Sequence, residues 1–193
     1  MLPACSVMEV LPPDDPIVLA TARAFVQANR NPLHGIVGHG AEGRGPREGF
    51  PWAAGWLAAV FAAAGAPRDA WAVLEPLRRA VSIHGGLPEK ILDDGRWNMQ
   101  YFTTAQAAVC LALHACVVHA VRRRLHVCAP PWEGGEFRGL HLHGLAISGA
   151  WDRGRVVDCV ARNMTGTEIV QPIRVNGTDG EVRLRPAKEV RLV

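Results

Sequence analysis

The hydrophobic pattern changes its period once along this chain, and that change limits the folds open to it. Up to about Leu125, apolar residues recur at helical spacing over long stretches. Beyond it the chain breaks into short runs, LHVCA, RGLHLHGLAIS, GRVVDCVARN, TEIVQPIRV and EVRLRP, separated by Gly, Asp and Asn turn signals. Helices gathered in one part and strands in the other argue against alternating βαβ units and predict an α+β protein. The expected division is an α-helical part over residues 1–124 and a small antiparallel β-sheet or sandwich domain over 125–193.

Within the first part, Pro16 follows Asp14 and Asp15, a capping arrangement that predicts a helix from Pro16 to about Asn29. Residues Asn31 to Gly49 then hold six glycines and two prolines, which predicts a long loop. From Phe50 to Ala66 there is no charged residue. A helix over Pro51 to about Ala64 is therefore apolar on all sides and must be enclosed by other elements, while the run is too short to span a bilayer. A third helix is predicted from Pro67 to Ile83, kinked or split at Pro76. After a second loop, HGGLPEKILDDGRWNMQ, a fourth is predicted from about Tyr101 to Arg122. Its apolar stripe is Phe102, Ala105, Val109, Ala112, Cys116 and Ala120, and the cations Arg122 to Arg124 would complement its C-terminal dipole.

Composition excludes several function classes. A chain of 193 residues with 49% hydrophobic content can bury a real core. A balance of 21 basic to 18 acidic residues, net +3, gives no electrostatic reason to expect nucleic acid or an anionic membrane as partner. The cysteines, Cys5, Cys110, Cys116, Cys128 and Cys159, are odd in number and contain no CxxC pair, so neither a disulfide framework nor a zinc site is indicated. A reducing compartment, the cytoplasm, is the simpler expectation, and MLPACSVMEVLPPDD lacks the basic start and apolar length of a secretory signal. His34, His39, His84, His141 and His143 invite a metal reading. His141 and His143 alternate to share one face of a strand, but Ala146 and Ile147 stand where a cupin-like site needs Glu, so no metal is expected. The loop GHGAEGRG has neither a GxGxxG after a strand nor a Lys-Ser/Thr ending, so no nucleotide or other cofactor is expected.

Both loops concentrate polar, aromatic and glycine residues: His34 to Trp56, and His84 to Tyr101. In the second, Glu89 lies between Pro88 and Lys90 behind Gly85 and Gly86, where a rigid turn can hold a carboxylate toward a cavity. Glycoside hydrolysis needs two such acids, one to protonate the leaving oxygen and one to activate water or attack the sugar. Glu48, with Glu42 behind it, is the fallback for the second. Trp52, Trp97 and Tyr101 stand at loop and helix junctions where rings could face a pyranose, and Asn98, Gln100 and His39 complete the candidate substrate-binding set. Trp56 and Trp71 lie further into helices and are assigned to the core.

The stretch GGLPEKILDDGRWNMQYFTTAQAAVCLALHA resembles the segment of glucoamylase-like (α/α)6-barrel glycosidases in which a Pro-Glu loop leads into a late barrel helix. GFPWAAGWLAAVFAAAGAPRDAWAVLEPLRR looks like the helical hairpin before it, and FRGLHLHGLAISGAWDRGRVVDCVARN is similar to the C-terminal β domain of family 95 fucosidases. The resemblance covers roughly residues 50 to 165 and implies the C-terminal third of a six-hairpin glycoside hydrolase. It implies an inverting enzyme acting on an oligosaccharide or glycoside, with Glu89 as general base. Two positions depart from the pattern: Tyr101-Phe102-Thr103-Thr104-Ala105 replaces a Trp-Ser-His-Ala signature, and Asn98 stands where the fucosidase pattern has a catalytic Asp. Four helices are fewer than six hairpins need, and the relatives' general acid lies earlier in the barrel. Two alternatives therefore stay open: a noncatalytic carbohydrate-binding or interaction module, and a fragment that self-associates or folds with an upstream barrel segment.

Overall fold

The structure, a computed structural model, describes residues 11–40 and 46–193. The protein is α+β and forms two compact units that divide between Leu113 and His114.

In the first unit, helix α1 (Pro16–Asn29) begins as its sequence predicts: the Asp15 side chain accepts the Ile17 N–H at 2.9 Å. Helix α2 (Pro51–Ala63) buries residues right around its cylinder, from Ala54 and Gly55 to Leu57 and Phe61, as expected of a helix with no polar face. Helix α3 (Pro67–Leu74) passes into a 3-10 turn over Glu75–Arg79, so Pro76 splits the predicted helix and the residues to Ile83 are not helical. An ion pair of 2.7 Å joins Arg23 on α1 to Asp69 on α3. Helix α4 is Thr103–Val117, and α2 meets it so closely that a Cβ on Gly55 would lie 2.6 Å from the Ala108 backbone carbon.

Both segments predicted as irregular loops instead supply strands of one antiparallel sheet. It runs in the order β1 (Gly38–Gly40), β2 (Pro46–Gly49), β3 (Lys90–Leu92) and β4 (Trp97–Asn98). These strands are too short to show a period of two, and the pairing of β2 with β3 joins segments that a local count of glycines cannot relate.

The second unit holds two four-stranded sheets. One, in the order β11-β10-β6-β5, contains β5 (Val118–Val121), β6 (Arg124–Val127), β10 (Ile169–Val175) and β11 (Thr178–Leu184). The other, in the order β12-β9-β8-β7, contains β7 (Gly134–Leu142), β8 (Leu145–Asp152), β9 (Arg155–Asn163) and β12 (Glu189–Arg191). Leu125, Val127 and Ile173 from the first sheet share one core with Leu145, Ile147, Cys159 and Ala161 from the second. Three expectations are corrected. The fourth helix stops at Val117, and Val118, Ala120 and Val121 belong to β5, because a valine-rich stretch packs well on a pleated surface. Arg122 and Arg123 form the turn of the β5–β6 hairpin, both at positive φ, and do not complement a helix terminus. The β domain is also not purely antiparallel, since β10 runs parallel to β6.

Candidate functional site

Residues Gly86 to Glu89 run antiparallel to residues 98–102, and three contacts fix this ribbon. Phe102 donates its N–H to the Leu87 carbonyl at 2.9 Å, and the Glu89 N–H is shared by the carbonyls of Asn98 and Met99, each at 3.1 Å. The Tyr101 ring lies directly over Gly86, where a side chain on residue 86 would strike it. The turn before the ribbon is closed by Ser82, whose hydroxyl accepts the Gly86 N–H at 2.9 Å while its own N–H donates to the Gly86 carbonyl at 2.8 Å. Met99 sits at φ +51°, a left-handed conformation that bends the chain just after β4. Pro88 is buried and Glu89 half-buried. The Glu89 carboxylate has no hydrogen bond or ion pair among the described residues.

This ribbon and the strand β4 leading into it carry five of the candidate residues: Glu89, Trp97, Asn98, Gln100 and Tyr101. Trp97 is half-buried, Asn98 and Gln100 are exposed, and Tyr101 is 56% exposed. Cross-strand pairing sets Lys90 opposite Asn98 and Ile91 opposite Trp97. Glu48 lies one strand away, where the Lys90 ammonium donates to its Oε1 at 3.0 Å. That carboxylate accepts a proton-bearing partner, the reverse of a general acid's role. The backbone of His39 pairs with Glu48 in the β1–β2 register. Trp52 belongs to an aromatic row at the start of α2, edge-on to Phe50 at 5.5 Å and to Trp56 at 5.0 Å. Glu42 lies outside the described residues.

A polar group beside the sheet joins His34 to Asn31 and Asp93, two residues that were not among the candidates. Asn31, fully buried, accepts the N–H groups of Leu33 and His34 and donates to Asp93 Oδ1 at 2.7 Å, tying the end of α1 to the β3–β4 turn. His34 Nδ1 accepts the Ile36 N–H at 3.3 Å, and among the described residues its buried Nε2 has no partner. Burial lowers the His34 pKa, with the nearby Asp93 charge opposing. Asn-Pro directly after a helix is the local signal that could have revealed the turn.

Among the described residues no group of three His, Cys, Asp or Glu side chains is placed to hold a metal ion. The expected sharing of a strand face by His141 and His143 does not occur. His143 is in the β7–β8 turn at φ +51°, and its Nδ1 donates to Gln171 Oε1 at 3.0 Å. Cys110, Cys116, Cys128 and Cys159 are free thiols. Burial pushes Cys116 and Cys159 up to about 12 and Cys128 to about 11, which leaves little thiolate for nucleophilic chemistry. In the second unit the aromatic rings pack together, Trp151 against Trp132 at 6.0 Å and against Phe137 at 6.3 Å, so they stiffen its core. No helix among the described residues is long and apolar enough to cross a membrane.

Fold and site together define an α+β protein whose first unit carries Glu89, its carboxylate unpaired among the described residues, on the same ribbon as Asn98, Gln100 and Tyr101. The sequence matches no model of a protein family, and no curated protein matches it.

Proposed function

We propose that this chain supplies the closing helices and C-terminal β domain of an (α/α)-barrel glycoside hydrolase acting on an oligosaccharide or glycoside, with Glu89 as general base. The observation that carries this reading is the pinning of Glu89: its N–H is held by two carbonyls, and its half-buried carboxylate has no partner among the described residues. A base of this kind deprotonates water, which attacks the anomeric carbon from the face opposite the departing oxygen and inverts its configuration. Tyr101 offers a ring to the apolar face of a sugar, and Asn98 and Gln100 offer amides to its hydroxyls.

Hydrolysis also requires an acid. Glu48 is engaged by Lys90, which favours a division of labour in which the proton donor comes from barrel helices outside these 193 residues. The same ion pair supports a second reading, a unit that binds carbohydrate without cleaving it. A panel of 4-nitrophenyl glycosides, with upstream barrel helices supplied, tests the first. Glu89→Gln should lower the rate by at least about a hundredfold and leave ligand affinity nearly unchanged. An unchanged rate removes Glu89 from the mechanism, and retention of configuration in the first-formed sugar rejects inversion. Saturable binding with no turnover in either protein favours the binding unit.

A further inference from the structure

Strands β11 and β12 are each the last strand of their sheet, and between them lies a cleft of about 570 Å³ that belongs wholly to the second unit. Its floor is apolar. Val182 comes from β11, Val190 from β12 and Leu192 from just beyond it, and Val190 remains 37% exposed. Its rim is cationic, with Arg155, Arg183 and Arg191.

The acids around the cleft leave Arg155 uncompensated and Arg183 only weakly engaged. Asp179 is held by Arg174 at 2.6 Å and by Arg124 at 3.3 Å, and neither of those arginines lines the cleft. Glu181 stands 4.0 Å from Arg183 with both side chains largely exposed, a weak and exchangeable contact. Arg191 is the most engaged of the three, donating to Asp158 Oδ1 at 2.9 and 3.0 Å and to the Val193 carbonyl at 3.1 Å, so a docking carboxylate meets chiefly Arg155 and Arg183. Arg155 has no ion pair among the described residues.

A terminal strand presents unpaired backbone N–H and C=O groups, and an extended peptide can satisfy them by adding one more strand. Here two such edges border one cleft. We infer that this cleft is a docking site for an extended peptide of alternating apolar and acidic residues, held by main-chain bonding to β11 or β12, with its apolar side chains on the floor and its carboxylates on the arginine rim. Alternation follows from strand geometry, because successive side chains point to opposite faces. Arginine forks favour carboxylates through paired N–H donors, which sets the sign of the partner's charge.

The test is a titration of the full chain followed by amide NMR. The probe is a capped peptide of about six residues alternating valine and glutamate, the usual length of a strand. Its valine–lysine counterpart and a proline-interrupted version serve as controls. The valine–glutamate peptide should shift the amides of residues 178–184 and 189–193 and slow their hydrogen exchange, while both controls do neither. Arg155→Ala and Arg183→Ala, both at exposed positions, should each weaken binding by about tenfold. Shifts elsewhere, equal binding of the lysine peptide, or the same shifts produced by acetate alone would overturn the proposal.

Discussion

Asn176 shows how much one side chain can organise in the second unit. Its φ of +52° places it in the Asn-Gly turn between β10 and β11, and from there its amide accepts the Val156 N–H and donates to the Val156 carbonyl, both at 2.8 Å. It acts as a strand partner for one residue of the other sheet. Asn176→Gly keeps the turn and loses both bonds, so urea denaturation should report a loss of about 2 kcal/mol. An unchanged midpoint would mean that the side chain contributes nothing to stability. His119 couples stability to acid. It is buried in β5, its Nδ1 donates to the Ala115 carbonyl at 2.7 Å, and its ring stacks on His126 at 4.9 Å. Burial lowers its pKa to about 4, helped by the neighbouring His126 and His114 and opposed by the Ala115 bond. Because the unfolded chain binds this proton near 6.5, the native state keeps its full advantage above that pH. The advantage falls away as pH drops toward 4, by on the order of 3 kcal/mol. Denaturant midpoints between neutral and acidic pH check this slope, and His119→Gln should flatten it.

Among the elements, the meeting of α2 and α4 depends most on residue size. Alanine usually stabilises a helix relative to glycine by up to about 1 kcal/mol. At Gly55 the order should reverse, because the added methyl would lie 2.6 Å from the Ala108 carbon and 2.8 Å from its Cβ, where backbone must move. Gly55→Ala is expected to destabilise the protein by about 1–3 kcal/mol in thermal unfolding, and a raised melting temperature would refute the tight crossing. These helices were legible in the sequence. Asp15-Pro16 marked the start of α1, the charge-free run marked α2, and Pro76 marked the break after α3, although the helix was expected to resume as far as Ile83. The strands of the second unit were readable too, where runs such as GRVVDCVARN alternate over several residues. What could not be read was pairing across distance. β2 meets β3 through residues more than forty positions apart, and the valines after Val117 look alike in a helix stripe and in a strand. For the candidate site, the sequence pointed to Glu89 and the residues from Trp97 to Tyr101, which share one ribbon. The ion pair that occupies Glu48 and the Asn31–Asp93 tie both needed the third dimension.

For the whole molecule, charge is a minor contributor to stability. Among the described residues most ion pairs sit in solvent, from Arg23–Asp69 at 57% and 36% side-chain exposure to Arg138–Glu136 at 81% and 67%, and such pairs contribute little. Lys90–Glu48 is half-buried but still has 27% and 34%. Raising sodium chloride from roughly 0.05 M to roughly 0.5 M should therefore move the melting temperature by less than about 3 °C. A larger drop would show that charge contributes more than these exposures allow. The parallel contact of β6 with β10 has a different consequence. It joins Leu125 to Ile173, and the intervening chain forms β7, β8 and β9, each paired with its sequence neighbour. Local hairpins close cheaply, whereas this join must gather a long loop before it gains any contact. The meander is thus poised to form early, and the docking of β10 on β6 becomes the slow, entropy-limited step that completes the domain.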